Sequence, residues 1–274
     1  MIQKVTTQSS MAESDATSAP ATSKLSEWVP MPRYLLRCWV VKRLIRKLAP
    51  QDFVEIGAAS GHMAEWMSER RNMTGTAVEI SPDALAMMQE RLQGNSRVRI
   101  FDRDSKHLDV NSDAADMLLS MEVLEHIEDD NAALKNWFDL IRPGGHLLLS
   151  VPAHQHMFSA EDEMVGHYRR YDKQPLTEQL KSIGFEQPKI LSYGYPLGLV
   201  LKRLRTHVAS KSLKVDQRSR QQRTEASGVE RKRWLSLRWF LNDFCMLPFN
   251  LIQMPFLPFD CSDGYIAVAR KPKK

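Results

Sequence analysis

Two acidic residues flank a glycine-containing turn that could receive a nucleoside. Glu55 stands two residues before Gly57, Gly61 follows four residues later, and Glu79 closes the next apolar run, 76–80. Glycine lets the backbone approach a ligand closely because it has no Cβ. A carboxylate such as that of Glu79 can accept two hydrogen bonds from a ribose diol. The pattern therefore predicts a ribose-containing ligand at this turn.

Other nucleotide-binding sites fit this turn less well. The dinucleotide fingerprint requires glycine at positions 57, 59 and 62, but Ala59 and His62 stand at the second and third of these. The sequence also contains no Gly-Lys-Ser/Thr, which excludes a P-loop. Because a phosphate-binding fingerprint is missing, we expect a ribose that carries no pyrophosphate.

A second group of reactive side chains follows the fifth predicted strand. His154, His156 and His167 lie there, and imidazole is the side chain whose ordinary pKa is nearest neutrality. His154 and His167 are our candidates for a catalytic base. The grouping of His154 and His156 with Glu161 and Asp162 could also bind a metal ion. Its spacing matches no specific zinc or iron pattern, so no metal is expected.

The same segment contains residues that could hold a substrate. Arg169 and Arg170 could grip a phosphate or carboxylate. In the alternative interpretation, Tyr168 and Tyr171 pack the loop down while the arginines face water, and His126 is a packing or capping residue. The candidate substrate-binding residues are His126, His156, Tyr168, Arg169, Arg170 and Tyr171.

These residues must be positioned by elements that alternate between strand and helix. Short apolar runs predict strands at 53–56, 76–80, 97–101, 116–120, 146–151, 189–192 and 264–270. Helices are predicted at 32–48 (amphipathic and basic), 62–71, 131–141 and 175–183, and another opens at Ser81-Pro82. Such alternation predicts a doubly wound parallel sheet covered on both faces, with ligands beyond the carboxyl ends of the strands.

Several motifs, in order, resemble those of the class I S-adenosylmethionine-dependent methyltransferases. The resemblance covers residues 52–185 and the terminal strand. Ala59 replaces the usual middle glycine of the first motif, and Arg103 replaces the usual glycine before the aspartate. The segments that carry the resemblance are Val54-Glu55-Ile56-Gly57-Ala58-Ala59-Ser60-Gly61, the acidic residue Glu79, Arg103-Asp104-Ser105, Ser120-Met121-Glu122-Val123-Leu124-Glu125-His126-Ile127 and the turn Arg142-Pro143-Gly144-Gly145.

The resemblance implies a fold, a cofactor and a site. The expected fold is α/β, a doubly wound, seven-stranded Rossmann-like sheet that is mostly parallel with an antiparallel last strand. The expected cofactor is S-adenosyl-L-methionine, with Asp104 at the adenine. The implied cofactor-binding residues are Glu55, Gly57, Ala59, Gly61, Glu79, Asp104, Ser105, Ser120 and Met121. The segment Gly166-His167-Tyr168-Arg169-Arg170-Tyr171 is similar to one subgroup of bacterial small-molecule methyltransferases, which implies a small or lipid-like methyl acceptor.

Composition limits the class of protein. With 274 residues, 43% hydrophobic and 26% charged, the chain is not wholly disordered, collagen-like or a coiled coil. Three scattered cysteines are too few for a disulfide framework and suit a reducing compartment. We expect a disordered tail at 1–27, a cofactor-binding domain at 28–193, an insertion at 194–262 and a final strand with a basic tail at 263–274.

The insertion contains most of the positive charge. Lys202 to Arg238 has 12 Lys or Arg and 3 Asp or Glu, whereas 26 basic and 30 acidic residues lie elsewhere. Aromatic residues follow, and the segment from Lys202 to Phe259 could meet an anionic membrane surface, bind single-stranded RNA, or form a solvated loop and lid. The apolar run 244–259 is broken by three prolines and is too short to span a bilayer.

The functional prediction is a cytoplasmic methyltransferase, with peripheral attachment to the inner face of the membrane left open. Transfer to oxygen, nitrogen or carbon is unresolved. One alternative is a non-catalytic protein of the same fold that docks to lipid or RNA, and another is an RNA methyltransferase. Nucleic acid is disfavoured because Ser120-Met121-Glu122-Val123 stands where DNA adenine methyltransferases have Asn/Asp-Pro-Pro-Tyr.

Overall fold

A computed structural model describes residue 25, residues 28–203, residue 239 and residues 241–273. The predicted tail at 1–27 therefore lies almost entirely outside the described residues. So does most of the basic segment, from 204 to 238. The structure thus describes the whole predicted cofactor-binding domain and the two ends of the insertion.

The described ranges contain an ordered series of strands and helices. The strands are β1 (Asp52–Ile56), β2 (Thr74–Val78), β3 (Val98–Phe101), β4 (Ala115–Met121), β5 (Ile141–Pro152), β6 (Glu186–Tyr193) and β7 (Gly264–Arg270). The helices are α1 (Pro32–Leu48), α2 (His62–Arg71), α3 (Pro82–Arg91), α4 (Val110–Asp113), α5 (Asp130–Asp139), α6 (Ala160–Val165), α7 (Lys173–Ile183) and α8 (Leu247–Gln253). Residues 197–203 are also helical, and short 3-10 helices lie at Ser105–His107, Leu124–His126, Gln155–Met157 and Met254–Phe256.

The seven strands form one sheet in the order β3-β2-β1-β4-β5-β7-β6. Strands β1 to β5 pair in parallel, and β7 lies antiparallel between β5 and β6. This confirms the predicted fold. The order reverses direction between β1 and β4, and in such sheets the crevice beyond the carboxyl ends at that point receives ligands.

Apolar layers cover both faces of the sheet. On β4, Leu118 faces one layer, with Trp137 of α5, while its neighbours Met117 and Leu119 face the other, with Met63 of α2. All of these side chains are buried. Because both faces are covered, the central strand is a continuous apolar run rather than an alternating one.

Some boundaries differ from those expected. Strand β5 begins at Ile141, ahead of the Arg142–Gly145 turn, because Ile141 pairs with Ala115 of β4. The predicted helix 131–141 accordingly ends at Asp139. Strand β2 ends at Val78, so Glu79 lies just beyond the strand rather than within it.

Helix α1 has the predicted bounds, but its basic residues do not all face solvent. Arg37 and Lys42 are only 7% and 6% exposed. Each is paired with a carboxylate, Arg37 with Glu122 at 3.2 Å and Lys42 with Asp243 at 3.0 Å. The helix therefore packs these two cations against the domain, whereas Arg43, Arg46 and Lys47 nearer its C-terminus are exposed.

Candidate functional site

The turn after β1 has a backbone conformation that favours glycine. Gly57 and Gly61 have φ values of +70° and +72°. A Cβ on Gly57 would overlap the Cγ2 atom of Val123, and one on Gly61 would lie 2.8 Å from Cγ of Met88. Ala59 tolerates a φ of +48° while keeping its side chain. Both backbone conformation and packing therefore explain why glycine stands at positions 57 and 61. The alanine at position 59 is accommodated by the same turn.

The Glu79 carboxylate is fixed against this turn. One oxygen, Oε2, accepts a hydrogen bond from the Ala59 amide at 2.7 Å. The other, Oε1, accepts from the amides of Ile80 at 2.9 Å and Ser81 at 2.8 Å. Burial raises the pKa of Glu79, whereas these hydrogen bonds favour its ionised form. A carboxylate offers about four lone-pair positions, so one remains for a ligand hydroxyl beside the turn.

Glu55 lies beneath the same turn and is 2% exposed. Burial raises its pKa to about 8, opposed by a hydrogen bond from the Ala64 amide of α2, and the nearby Glu79 raises it further. Its Oε2 atom has no hydrogen-bond partner among the described residues. A buried carboxylate oxygen of this kind is satisfied by a water or a cationic group of a ligand.

The segments that follow β2 and β3 supply side chains suited to a purine ring. Ile80 presents an apolar side chain that is 60% exposed. The Asp104 carboxylate, also exposed, accepts a hydrogen bond from the Lys106 amide at 3.0 Å and caps a 3-10 helix. Ser105 is buried, and its hydroxyl oxygen lies 3.4 Å from Nε1 of Trp137. An exposed apolar side chain after β2 and an accessible carboxylate after β3 suit a heterocycle with an exocyclic amine.

Ser120 and Met121 end strand β4 between the two halves of the site. Ser120 is fully buried, and its hydroxyl has no partner among the described residues. Met121 is partly buried and packs with the layer that contains α1 and α2. Their contact with a cofactor stays a prediction.

Glu122, directly after β4, is the centre of an ion-pair cluster that the sequence analysis assigned no role. Its carboxylate lies 2.6 Å from Arg33 and 3.2 Å from Arg37, both on α1. It also accepts hydrogen bonds from Ser150 at 3.0 Å and Tyr193 at 3.1 Å. Burial alone would raise the pKa of Glu122, but the two guanidinium groups hold it well below its ordinary value. The cluster joins α1 to the end of β4 and to strands β5 and β6.

Glu125 and two histidines form a second, more deeply buried group. Glu125 is fully buried, and burial together with the nearby Glu122 raises its pKa well above the ordinary value. Its Oε1 atom lies 3.7 Å from Nε2 of His167. The ring of His126 lies against the His167 ring with centroids 4.6 Å apart, and burial lowers the pKa of His126 to about 3. Nδ1 of His167 lies 2.9 Å from Asp162.

His154 and His156 do not join the acidic residues expected from the sequence. Donor atoms of His154, His156 and Asp172 lie within 4.8 Å of one another. His154 has a φ of +63°, and its ring contacts the hydroxyl of Tyr265 at 3.4 Å and the carboxylate of Asp260 at 3.5 Å. The grouping of these histidines with Asp162 is therefore wrong, because that carboxylate faces His167.

The following arginines and tyrosines are mostly held by the protein. Arg170 is buried and pairs with Asp162 at 2.7 Å. Tyr171 is also buried and donates a hydrogen bond to Asp130 at 3.0 Å, and Arg169 contacts the same carboxylate at 2.9 Å. The alternative interpretation, in which both arginines face water, is thus wrong for Arg170, whose geometry suits a positioning role.

Tyr168 is the more accessible tyrosine of this segment, with 36% of its surface exposed. Its backbone amide donates to the carbonyl of Glu125 at 2.8 Å, which ties the segment to the end of β4. Tyr168, Arg169 and His156 keep exposed surface and remain predicted substrate contacts.

Comparison with known proteins places this fold and site in a family. A family model described as a methyltransferase domain matches residues 31–190, which is more than half of the chain. The chain belongs to this family, that of the class I S-adenosylmethionine-dependent methyltransferases.

Individual relatives are distant. A probable S-adenosylmethionine-dependent methyltransferase of Mycolicibacterium smegmatis is 26% identical over 163 residues, 58% of this chain and 62% of the relative. A ubiquinone biosynthesis O-methyltransferase of Pectobacterium atrosepticum is 26% identical over 117 residues, 42% of this chain and 48% of the relative. The chain therefore spans about half to three-fifths of the length of these curated relatives.

A solved structure extends the similarity of fold. Phosphoethanolamine N-methyltransferase 2 of Haemonchus contortus, in complex with phosphomonomethylethanolamine and S-adenosylhomocysteine, matches with a TM-score of 0.55. The match has 18% identity and covers 86% of this chain and 53% of the other. At this identity the likeness concerns the fold.

Proposed function

We propose that this protein transfers the methyl group of S-adenosylmethionine to a small or lipid-like metabolite. The observation that carries the proposal is the Glu79 carboxylate, which is fixed by three backbone amides and retains an acceptor position beside the glycine turn. The exposed Ile80 and Asp104 complete a surface for an adenine ring. These residues fit an adenosyl group without a pyrophosphate.

In such a transfer the cofactor supplies the methyl electrophile, and the protein supplies orientation and desolvation. The acceptor would lie beyond the ends of β4 and β5, where Glu122, Glu125 and the histidines gather. If the acceptor must lose a proton, His154 and His167 are the candidate bases. Oxygen, nitrogen and carbon acceptors remain alternatives.

Calorimetric titration with S-adenosylmethionine and S-adenosylhomocysteine tests the cofactor assignment. We expect saturable binding of about one ligand per chain, and folded protein that binds neither would refute the assignment. Incubation with methyl-labelled cofactor and either a lipid extract or a polar extract then tests the acceptor class. Label recovered in the lipid fraction favours a lipid-like acceptor, and label in the polar fraction opposes it.

A second observation concerns the membrane, and it lies in the insertion. Helix α8 has its polar residues inside and its apolar residues outside. Asn250 and Gln253 are buried, whereas Leu251 and Ile252 are 54% and 49% exposed. Gln253 is held by the Leu36 carbonyl at 3.1 Å, so the orientation of the helix is fixed by the domain. Burial normally selects the opposite arrangement in water.

We infer that this face of the protein lies on an anionic lipid surface. Other large apolar side chains are also exposed, Leu247 and Phe249 on α8 itself and Trp239, Phe244 and Phe259 close to it in sequence. The strongly basic segment, 202–238, directly precedes them in the chain. Cations that meet lipid headgroups beside rings and aliphatic groups at the interface are typical of peripheral attachment. Among the described residues, no helix is long and apolar enough to cross a membrane.

Vesicle sedimentation tests this attachment. We expect binding to phosphatidylglycerol-containing vesicles to exceed binding to pure phosphatidylcholine vesicles. The double variant Leu251→Glu/Ile252→Glu should weaken binding at least tenfold, because burying each such side chain contributes about 1.5–3 kcal/mol. Val110→Glu, an exposed apolar position on α4, is the matched control. Equal binding by the double variant and wild type would refute the proposal.

A further inference from the structure

The group formed by Glu125, His126 and His167 has the composition of a metal site. Each residue offers one ligand atom, and these atoms lie within 4.8 Å of one another. The Glu125 Oε1 to His167 Nε2 distance is 3.7 Å. Ligand atoms around a tetrahedral zinc ion, bound at about 2.0–2.2 Å, lie roughly 3.4 Å apart. A small movement of the three side chains toward one another would therefore bring their ligand atoms to the separation that a zinc ion requires.

The state of Glu125 indicates that something is needed at this position. It is fully buried, and neither of its carboxylate oxygens accepts a hydrogen bond from another described residue. At 3.7 Å, His167 is too distant for a hydrogen bond. With no donor among the described residues except its own backbone amide, an ionised carboxylate is costly to bury here, and coordination of a cation would stabilise the ionised form.

The surroundings of the histidines resemble those of metal ligands. Nδ1 of His167 lies 2.9 Å from Asp162, which directs Nε2 toward Glu125. Asp162 is in turn fixed by Arg170 at 2.7 Å and by the capping hydrogen bonds of Ser159. Histidine ligands usually bond through their other ring nitrogen to a carboxylate or backbone carbonyl, which sets the tautomer and the ring orientation.

His126 has an equivalent support, because it forms a hydrogen bond with the backbone of Gly166. Its ring is held edge to face against that of His167, with centroids 4.6 Å apart. The two imidazoles therefore approach Glu125 from different elements, one from the end of β4 and the other from the segment after α6.

We propose that Glu125, His126 and His167 bind a divalent transition-metal cation such as Zn²⁺. Two imidazoles and one carboxylate suit this class of ion, whereas Mg²⁺ prefers oxygen ligands. This differs from the expectation of no metal drawn from the sequence, which considered the histidines of a different group. Three protein ligands leave coordination positions open.

The open positions would give the cation a role in the proposed methyl transfer, and this step rests on that proposed function. A hydroxyl of the acceptor that coordinates the cation becomes more acidic and releases its proton to solvent water. The oxygen then forms a bond to the methyl carbon while the carbon–sulfur bond breaks and its electron pair stays on sulfur. The site thus favours an acceptor that presents a hydroxyl group.

The experiment measures metal binding directly in the full chain. Protein treated with a chelator and dialysed is titrated with Zn²⁺ and Mg²⁺ by calorimetry and with Co²⁺ by visible absorption. We expect about one Zn²⁺ or Co²⁺ per chain, with much weaker binding of Mg²⁺. Folded wild-type protein that binds neither transition ion would overturn the proposal.

Variants assign the site. Glu125→Gln and His167→Gln should each weaken Co²⁺ binding by at least tenfold, and Asp162→Asn by roughly 10- to 100-fold through the loss of orientation. Glu125→Gln keeps the size and shape of the side chain and removes its capacity to ionise, so it should stay folded, which circular dichroism verifies. His156→Gln in the exposed group with His154 and Asp172 is the matched control. Loss of binding in His156→Gln alone would place the ion in that other group and refute the assignment.

Cofactor binding is measured on the same samples. If S-adenosylmethionine binds and the transition ions do not, the metal proposal fails while the proposed function stands. If the ions bind and the cofactor does not, the proposed function fails and the metal site is retained without its catalytic role.

Discussion

Replacement of Glu79 by glutamine separates its structural role from its role in ligand binding. In the folded protein the carboxylate accepts hydrogen bonds from the amides of Ala59, Ile80 and Ser81, and one acceptor position remains for a ribose hydroxyl. Glutamine has the same shape but lacks the charge and replaces one acceptor oxygen by an amide NH2 group, which donates. A hydrogen bond to a charged group contributes about 1.5–3 kcal/mol. We therefore expect the dissociation constant for S-adenosylhomocysteine to rise roughly 10- to 150-fold.

The assay is calorimetric titration, with thermal unfolding recorded on the same preparation. Glu69→Gln, an exposed acidic residue on α2, serves as the matched control and should bind as wild type does. A lower unfolding temperature is expected for Glu79→Gln. The NH2 group of glutamine replaces one carboxylate oxygen, so at least one of the backbone amides that donate to Glu79 loses its acceptor. Folded Glu79→Gln protein that binds within threefold of wild type would show that the carboxylate does not contact the ribose.

Three further predictions concern stability. Because burial raises the pKa of Glu55 to about 8, the folded protein retains its proton more tightly than the unfolded chain, and the free energy of unfolding should fall between about pH 5 and pH 8. Glu55→Gln should flatten this decline in urea denaturation curves, and an unchanged slope would contradict the shift. Gly57→Ala should lower the unfolding temperature, since its Cβ would overlap Val123, and Val123→Ala should restore part of the loss; a fully stable Gly57→Ala would refute the packing argument. Glu122→Gln should lower the free energy of unfolding by about 3 kcal/mol, as measured by urea unfolding, because Arg37 loses its carboxylate partner and Arg33 keeps only Asp263; a cost near zero would contradict the cluster.

The fold was predictable because its signals are local and repeated. Each strand is a short apolar run, and helix starts such as Ser81-Pro82 lie where the structure has them. The boundaries that differ depend on pairing between distant residues. Ile141 is an apolar residue that follows a helix in sequence, and only its pairing with Ala115 makes it part of a strand.

The glycine turn was predictable for the same reason, since its motif is contiguous. The contacts of Glu122 and Glu125, beyond the end of β4, could not be predicted from the sequence. Glu122 and Arg33 are 89 positions apart, and only the folded chain shows that they lie 2.6 Å from each other. Glu125 lies within one of the motifs, but its distinguishing feature is complete burial with no hydrogen bond from the side chains that the structure describes, and no spacing pattern predicts this. Arg33 and Arg37 are four residues apart in α1 and so lie on one face of the helix. This spacing could have suggested a shared acidic partner.

The Glu122 cluster has a consequence for how the domain can be divided. Arg33 also contacts Asp263 at 3.3 Å, so a single side chain near the start of α1 reaches the junction with the last strand. Shortened forms of the protein that begin after α1 would retain all seven strands of the sheet, the glycine turn and Glu79. They would nevertheless leave the carboxylates of Glu122 and Asp263 without Arg33, and we expect them to be recovered as aggregates rather than as folded protein.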